Sequence, residues 1–258
     1  MYQLAQSMGF ADTHIHSIHS HDATATIGAI LKQAADVKLN VIAITDHDEI
    51  RGSLHARELA PKYGLEAIPG VEVSTRDGHL LALFVEKVPP VGLPLTDTLL
   101  AIAEMGGIAI APHPFNHLPF SLSTEVVVNA MAQPQVKDAL KGIETHNMST
   151  QAFNKLAQKL SIFLPLAKIG SSDAHVYQTI GTARTEFKGS TAGDFKAALE
   201  NRTTVPILYE TEDTAKDLLN WVRRITLRKF GFASDSKSAA TPINTQPLDF
   251  FSGKNKER

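Results

Sequence analysis

Between residues 12 and 22 the chain reads DTHIHSIHSHD, with two aspartates, Asp12 and Asp22, and four histidines, His14, His16, His19 and His21. A purification tag would be a homopolymer; this stretch sits in a mixed frame. Imidazoles and carboxylates at such density are cation ligands in kind. On an extended strand His14 and His16 point to the same face and can reach one ion together. Groups of the same types recur downstream: Asp46 and His47 in ITDHD, Glu72 in PGVEVS, His79 in DGHLL, His113 in APHPF, Glu144 in IETHN, and Asp173 and His175 in GSSDAH. The chain has no cysteine, which removes disulfides, thiolate zinc sites and cysteine nucleophiles. Oxygen and imidazole ligands without thiolate suit Zn²⁺, Mn²⁺ or Fe²⁺. The candidates outnumber what one tetrahedral ion needs, which argues for two or three ions.

Most of these residues stand where a strand runs out. Short β-rich runs are predicted at 10–16, 40–48, 65–75, 78–88, 107–115, 140–147, 164–175, 179–187 and 203–209. Helical spacing is predicted at 27–39, 51–63, 95–105, from 147 to about 160, at 191–200 and at 213–230. Arg76-Asp77-Gly78 reads as the turn of a hairpin. The alternation predicts an α/β chain with parallel strands, in which function gathers at the strands' C-terminal ends.

Taken singly, a histidine at a strand end is ordinarily a surface or hydrogen-bonded residue, and Glu72 alone reads as a cap or ion-pair partner. The case is collective, because independent accidents do not place His or Asp at the same end of six successive strands. His19, His21, His55 and His117 lack that registration. His146 alternates with Glu144 and is expected to enter the pocket as a substrate contact.

The order DTHIHS, SHDA, ITDHD, PGVEVS, GHLLAL, HPF, IETHN, GSSDAH resembles the polymerase and histidinol phosphatase (PHP) superfamily over about residues 10–187. IGTARTEF, just after, is similar to the PHP-associated segment of small stand-alone members. The resemblance implies a distorted (β/α)₇ TIM-like barrel and three divalent metal ions. The ligands it implies are His14, His16, Asp22, His47, Glu72, His79, His113, Asp173 and His175. It also implies a phosphoesterase that cuts phosphate esters with a metal-activated hydroxide, because clustered cations offset the charge of the phosphate oxygens and acidify water. The substrate expected is a nucleotide, an oligonucleotide or another small phosphomonoester. Asp173 or His175 is a candidate general acid, Asp46 a candidate support for a ligand imidazole, and Arg184 a candidate phosphate contact, with Asn147 comparable. Hydrolysis of another bond, as in amidohydrolase-like barrels, is the alternative chemistry.

The rest of the chain narrows the field. Its 258 residues suit one large barrel, its 43% hydrophobic share an ordinary globular protein, and its formal net charge of −2 gives no general pull toward nucleic acid or anionic lipid. Neither a P-loop nor a GxSxG elbow is present. No secretory leader or apolar span is evident, so a cytoplasmic protein without a membrane association is expected. Residues 1–232 are expected to form the catalytic domain, with the PHP-associated segment at about 176–232. Residues 233–258, rich in Ser, Lys, Asn, Thr, Pro and Gln, are expected to be a flexible tail. That tail carries QPLDFF, which loosely resembles the peptides that dock to sliding clamps. Leu248, Phe250 and Phe251 are therefore candidate anchors for a protein partner, a third reading in which recruitment matters more than catalysis.

Overall fold

Ile27, Ile30, Leu31 and Ala34 fall on one side of a helical period, and all four are buried. Thr26 caps that helix, its hydroxyl accepting from the Ala29 amide at 3.3 Å. Local rules of this kind account for most elements in the computed structural model of the chain, which describes residues 7–116, 118–136, 138–209 and 226. In chain order the elements are β1 (Met8–Ile15), α1 (Ile27–Asp36), β2 (Val41–Ile44), α2 (Arg51–Leu59), β3 (Glu66–Ala67), β4 (Gly70–Thr75), β5 (Gly78–Leu83) and α3 (Leu95–Glu104). They continue as β6 (Ile108–Ala111), α4 (Thr124–Met131), β7 (Leu140–Asn147), α5 (Gln151–Ser161), β8 (Ala167–Ser171), β9 (Ala183–Lys188), α6 (Ala192–Asn201) and β10 (Val205–Leu208).

One helix, α4, has no counterpart in the sequence reading. Three consecutive valines, Val126 to Val128, are poor helix formers and mask its pattern. Its signal is the cap, Ser123, whose hydroxyl accepts from the Val126 amide at 3.2 Å. Of the helix expected at 213–230 only Thr226 is described, and it is helical; the tail with Leu248, Phe250 and Phe251 lies outside the described residues.

The strands form two five-stranded sheets, ordered β10-β9-β1-β2-β3 and β4-β5-β6-β7-β8. Pairing is parallel within β1-β2-β3 and β6-β7-β8 but antiparallel for β4-β5, β5-β6, β1-β9 and β9-β10. The expected hairpin at Arg76-Asp77-Gly78 is present as the antiparallel β4-β5 pair, since so short a turn can only reverse the chain and a parallel return needs a crossover of about a dozen residues; β9 and β10 add further antiparallel pairs to the parallel pattern. Continuous ladders do not close the two sheets into a ring. They meet through two isolated parallel bridges, Ile15 with Ala174 and His47 with Glu72. These bring β1, β2 and β4 to β8 around a common axis, as in a distorted barrel. On one flank the Thr185 hydroxyl of β9 accepts from the Gly170 amide at 3.0 Å and donates to the Gly170 carbonyl at 2.9 Å. Only glycine fits at 170, because a Cβ there would press on the Arg184 carbonyl.

Ala11, Val41, Ala43, Ile68, Leu81, Leu83, Ile108, Ile110 and Ile169 fill the interior together with Phe187 and Phe195. A second cluster lies under α1 and α2, and a third under α3, α4 and α5. With one end of the interior packed with hydrocarbon, the polar strand ends converge at the other. No helix among the described residues is long and apolar enough to cross a membrane.

Candidate metal centre

Each candidate ligand reaches the polar end by its own route. β1 carries His14, with His16 just after it, both fully buried. Strand alternation turns Ile15, which lies between them, to the other face, where it packs in the cluster under α1. His47 follows β2, and Glu72 lies on β4 opposite Leu81. His79 opens β5 rather than ending it. Because β5 runs antiparallel to β4, its first residues lie at the end where β4 finishes, with His79 opposite Ser74. His113 follows β6, and Asp173 and His175 follow β8. His113 at φ 28° and Asp173 at φ 52° both lie in the left-handed region, a strain of about 1–3 kcal/mol each that packing must hold.

Glu72 is the hub. Its Oε2 lies 3.2 Å from His14 Nε2, 3.2 Å from His16 Nε2 and 3.1 Å from His47 Nδ1. Its Oε1 lies 2.9 Å from His79 Nδ1 and 3.2 Å from His113 Nε2. Asp173 Oδ1 is 3.4 Å from both His14 Nε2 and His16 Nε2. Asp22 Oδ2 is 3.1 Å from His175 Nε2 and 3.3 Å from His47 Nε2. Two ligands each about 2.1 Å from one cation sit roughly 3.0–3.5 Å apart, so this spacing is that of atoms sharing an ion. The ligand atoms form four overlapping groups: His16-Asp22-His47-His175, His14-Glu72-His113, His14-His16-Asp173 and His47-Glu72-His79. His16 Nε2 and His79 Nδ1 are buried and lie close to Glu72 without hydrogen-bond geometry, which fits the same reading, since a buried polar atom is costly unless something binds it.

The surrounding shell sets the tautomers. Glu144 Oε1 accepts from His14 Nδ1 at 3.0 Å, which leaves the Nε2 lone pair aimed at Glu72 and Asp173. The other Glu144 oxygen accepts from the His113 amide and from Asn147 Nδ2, both at 2.8 Å. His175 Nδ1 donates to the Asp173 carbonyl at 2.9 Å, which leaves its Nε2 facing Asp22 Oδ2 at 3.1 Å. Supporting carboxylates of this kind typically contribute 10–100-fold in metal affinity. Glu144→Gln should therefore weaken binding of a divalent cation by about that factor, read by competition with a chromogenic chelator. An unchanged affinity would rule out a supporting role for Glu144.

Without cations the groups hold one another's protons. Burial disfavours a charged His14, but Asp173, Glu72 and Glu144 outweigh it and raise its pKa well above the ordinary value. His16 and His175 are also raised against burial. Glu72, Asp22 and Asp173 lie well below the usual carboxylate range, because facing imidazoles overcome the opposing effect of burial. A histidine with a raised pKa keeps its proton to higher pH, and a cation must displace it. Affinity for Mn²⁺ should accordingly climb as pH rises through neutrality, with protons released on binding. Calorimetry in two buffers of different ionisation enthalpy counts those protons; identical heats in both would contradict the displacement.

The site opens into a cavity of about 840 Å³ lined by His21, Asp22, His47, Glu72, His79, His113, Asp173 and His175, with Leu118, Phe120, Met148 and Val176 among its walls. No lysine or arginine lines it among the described residues. A family model described as PHP domain matches residues 12–232. The chain belongs to the PHP domain family. An uncharacterised Methanocaldococcus jannaschii protein is 35% identical over 126 residues, spanning 45% of this chain and 74% of that one. The phosphoribosyl 1,2-cyclic phosphate 1,2-diphosphodiesterase of Eggerthella lenta is 38% identical over 85 residues, which are 31% of this PHP chain and 32% of the enzyme. This chain therefore spans only about a third of that relative's length. Among solved structures, a two-domain Bacteroides vulgatus protein, described as containing a predicted PHP-like metal-dependent phosphoesterase, superposes with a TM-score of 0.67. The two share 21% identity over 83% of this chain and 70% of that one.

Three sequence expectations for this PHP domain are corrected. The β7-β8 pairing shifts register between Glu144 and His146, and such a slip turns a side chain to the opposite face. His146 is thus half-buried outside the cavity, with its Nε2 3.1 Å from Gln158 Nε2, and Asn147 faces the metal centre instead. Arg184 does not reach the cavity. It is buried with its guanidinium over the Phe10 and Tyr209 rings, 5.1 and 4.4 Å from their centroids, and donates to the Val37 carbonyl at 3.0 Å. Asp46 supports no imidazole; its oxygens accept from the Ser17 amide and hydroxyl at 2.6 and 2.7 Å. Glu144 fills the part expected of Asp46, and its place at a strand end was its only sequence signal. Asp12 is likewise structural. It accepts from the Ser172 and Gly181 amides at 3.1 and 2.9 Å, and burial pushes its carboxyl up to about 6 despite them.

Proposed function

We propose that this PHP domain is a hydrolase of phosphate esters that works with divalent cations, three in number, held by His14, His16, Asp22, His47, Glu72, His79, His113, Asp173 and His175. The observation that carries the reading is the convergence of five imidazoles on the one carboxylate of Glu72. Four overlapping ligand groups exceed the needs of a single ion, and the imidazole and carboxylate donors suit Mn²⁺, Zn²⁺ or Fe²⁺. Bound there, such ions supply the positive charge that attracts phosphate oxygens and make a water acidic near neutral pH.

The chain's own residues do the rest. With no lysine or arginine in the cavity wall among the described residues, recognition of the phosphate falls to the ligand cluster itself. Glu144 and the Asp173 carbonyl hold His14 and His175 in register. Asn147 Nδ2, 2.8 Å from Glu144 and 3.4 Å from Asp173 Oδ2, ties those two carboxylates together. Asp173 and His175 are proposed as ligands rather than as the general acid. The Nε2 of His175 lies 3.1 Å from Asp22 Oδ2, and a carboxyl held as low as Asp173 is poorly suited to donate a proton at neutral pH. Among the described residues no lysine or arginine lines the cavity, which favours a small phosphate ester over a long nucleic acid, whose backbone such side chains neutralise. The diphosphodiesterase of Eggerthella lenta supports phosphoester chemistry.

Treatment with excess chelator should abolish hydrolysis of p-nitrophenyl phosphate or its bis-ester, and Mn²⁺ should restore it, with amide substrates left intact throughout. Full activity in chelator, or preference for an amide, would overturn the proposal.

A further inference from the structure

The floor of the cavity is polar, but one wall is not. Leu118 and Phe120 lie on the loop between β6 and α4 and remain 39% and 37% exposed, facing the same space as the candidate ligands. Met148 and Val176 continue the apolar surface. A site that bound only phosphate would have no use for exposed hydrocarbon beside its cations, and such patches ordinarily mark a contact.

The loop that presents them is held in place. The Phe120 carbonyl accepts from the His79 amide at 2.8 Å. The Ser121 hydroxyl donates to the His113 carbonyl at 2.8 Å, and Asn116 Nδ2 donates to the same carbonyl at 3.0 Å. The Leu118 amide donates to Asn116 Oδ1 at 2.9 Å. The Phe120 ring stacks on His79, with centroids 5.5 Å apart and planes at 24°, and meets His113 edge-on at 5.5 Å. The aromatic surface is thus fixed one ring away from two candidate ligands.

We propose that Leu118 and Phe120 form a wall that holds a planar aromatic ring of the phosphate ester, so that the substrate class is a nucleotide and not a sugar phosphate; this rests on the phosphoesterase reading above. A flat ring with a π-face matches a phenylalanine set beside an anion site, and stacking of this kind tolerates every base. A sugar phosphate would leave the wall wet.

The test compares adenosine 5′-monophosphate with ribose 5-phosphate, which differ chiefly in the base. The full-length manganese-loaded protein is used as wild type, Phe120→Ala, Phe120→Trp and Leu118→Ala, with metal content measured for each. Phe120→Ala should lower kcat/KM for the nucleotide by about five- to a hundredfold, mainly through KM. Ribose 5-phosphate should be nearly unaffected, Phe120→Trp should retain the wild-type preference, and Leu118→Ala should move in the same direction as Phe120→Ala. Equal losses on both substrates at unchanged metal content would overturn the wall, as would a wild-type preference for ribose 5-phosphate. An effect confined to p-nitrophenyl phosphate, whose ring hangs directly on the ester oxygen, would assign the wall to aryl esters and overturn the nucleotide class. If no ester is turned over, the phosphoesterase reading fails, and saturation-transfer NMR with adenosine on the zinc-loaded protein still decides the wall. Binding that disappears in Phe120→Ala supports it, and no binding to the wild type overturns it.

Discussion

Glu72→Gln should lower activity on a phosphate ester by about three to four orders of magnitude, the equivalent of several kcal/mol of transition-state stabilisation from bound cations. The substitution is nearly isosteric, and Glu72 is buried on β4, so the backbone has little reason to move. What changes is charge. One anionic oxygen faces His14, His16 and His47 and the other faces His79 and His113, so an amide in its place weakens two of the four overlapping ligand groups directly. Elemental analysis should show metal loss alongside the kinetic defect. A Glu72→Gln protein with its full metal complement and wild-type rate would remove Glu72 from the centre.

Thermal unfolding should report the same cluster without any substrate. A cation that binds only the folded state, at a thousandfold over its dissociation constant, adds about 4 kcal/mol per site. For a chain of this size that corresponds to a rise in Tm of roughly 8 to 16 °C. The measurement is a scanning-calorimetry series of chelated protein against increasing Mn²⁺. A Tm that stays flat, with manganese shown to be in excess, would mean that the imidazoles serve one another as hydrogen-bond partners and not a metal. Substituting His19, which belongs to none of the four ligand groups, should leave the manganese-dependent rise intact.

The candidate cluster was legible because metal binding would restrict side-chain chemistry so severely. Only a few residue types qualify, and their recurrence at strand ends is hard to produce by chance. The spacing of His14 and His16 showed that they share a face, and the short Arg76-Asp77 turn implied the hairpin that returns His79 to the same rim. Second-tier assignments were less legible, because they depend on strand register. A one-residue slip between β7 and β8 turns His146 away and brings Asn147 in. Arg184 has the right chemistry for phosphate, but the pairing of β9 with β1 and β10 buries it between two rings. Helix α4 escaped notice because its valines carry the β-propensity that tertiary packing overrides.

By itself, then, the sequence determined the alternation of strands and helices, the inventory of imidazoles and carboxylates, and the exclusion of thiol chemistry, since these follow from residue type and local period. Tertiary structure alone decided that Glu72 is the shared centre, that Glu144 and not Asp46 steadies His14, and that Phe120 stands against His79 and His113. Each of those facts is a distance between residues far apart in the chain, and no local pattern encodes which oxygen lies 3 Å from which nitrogen.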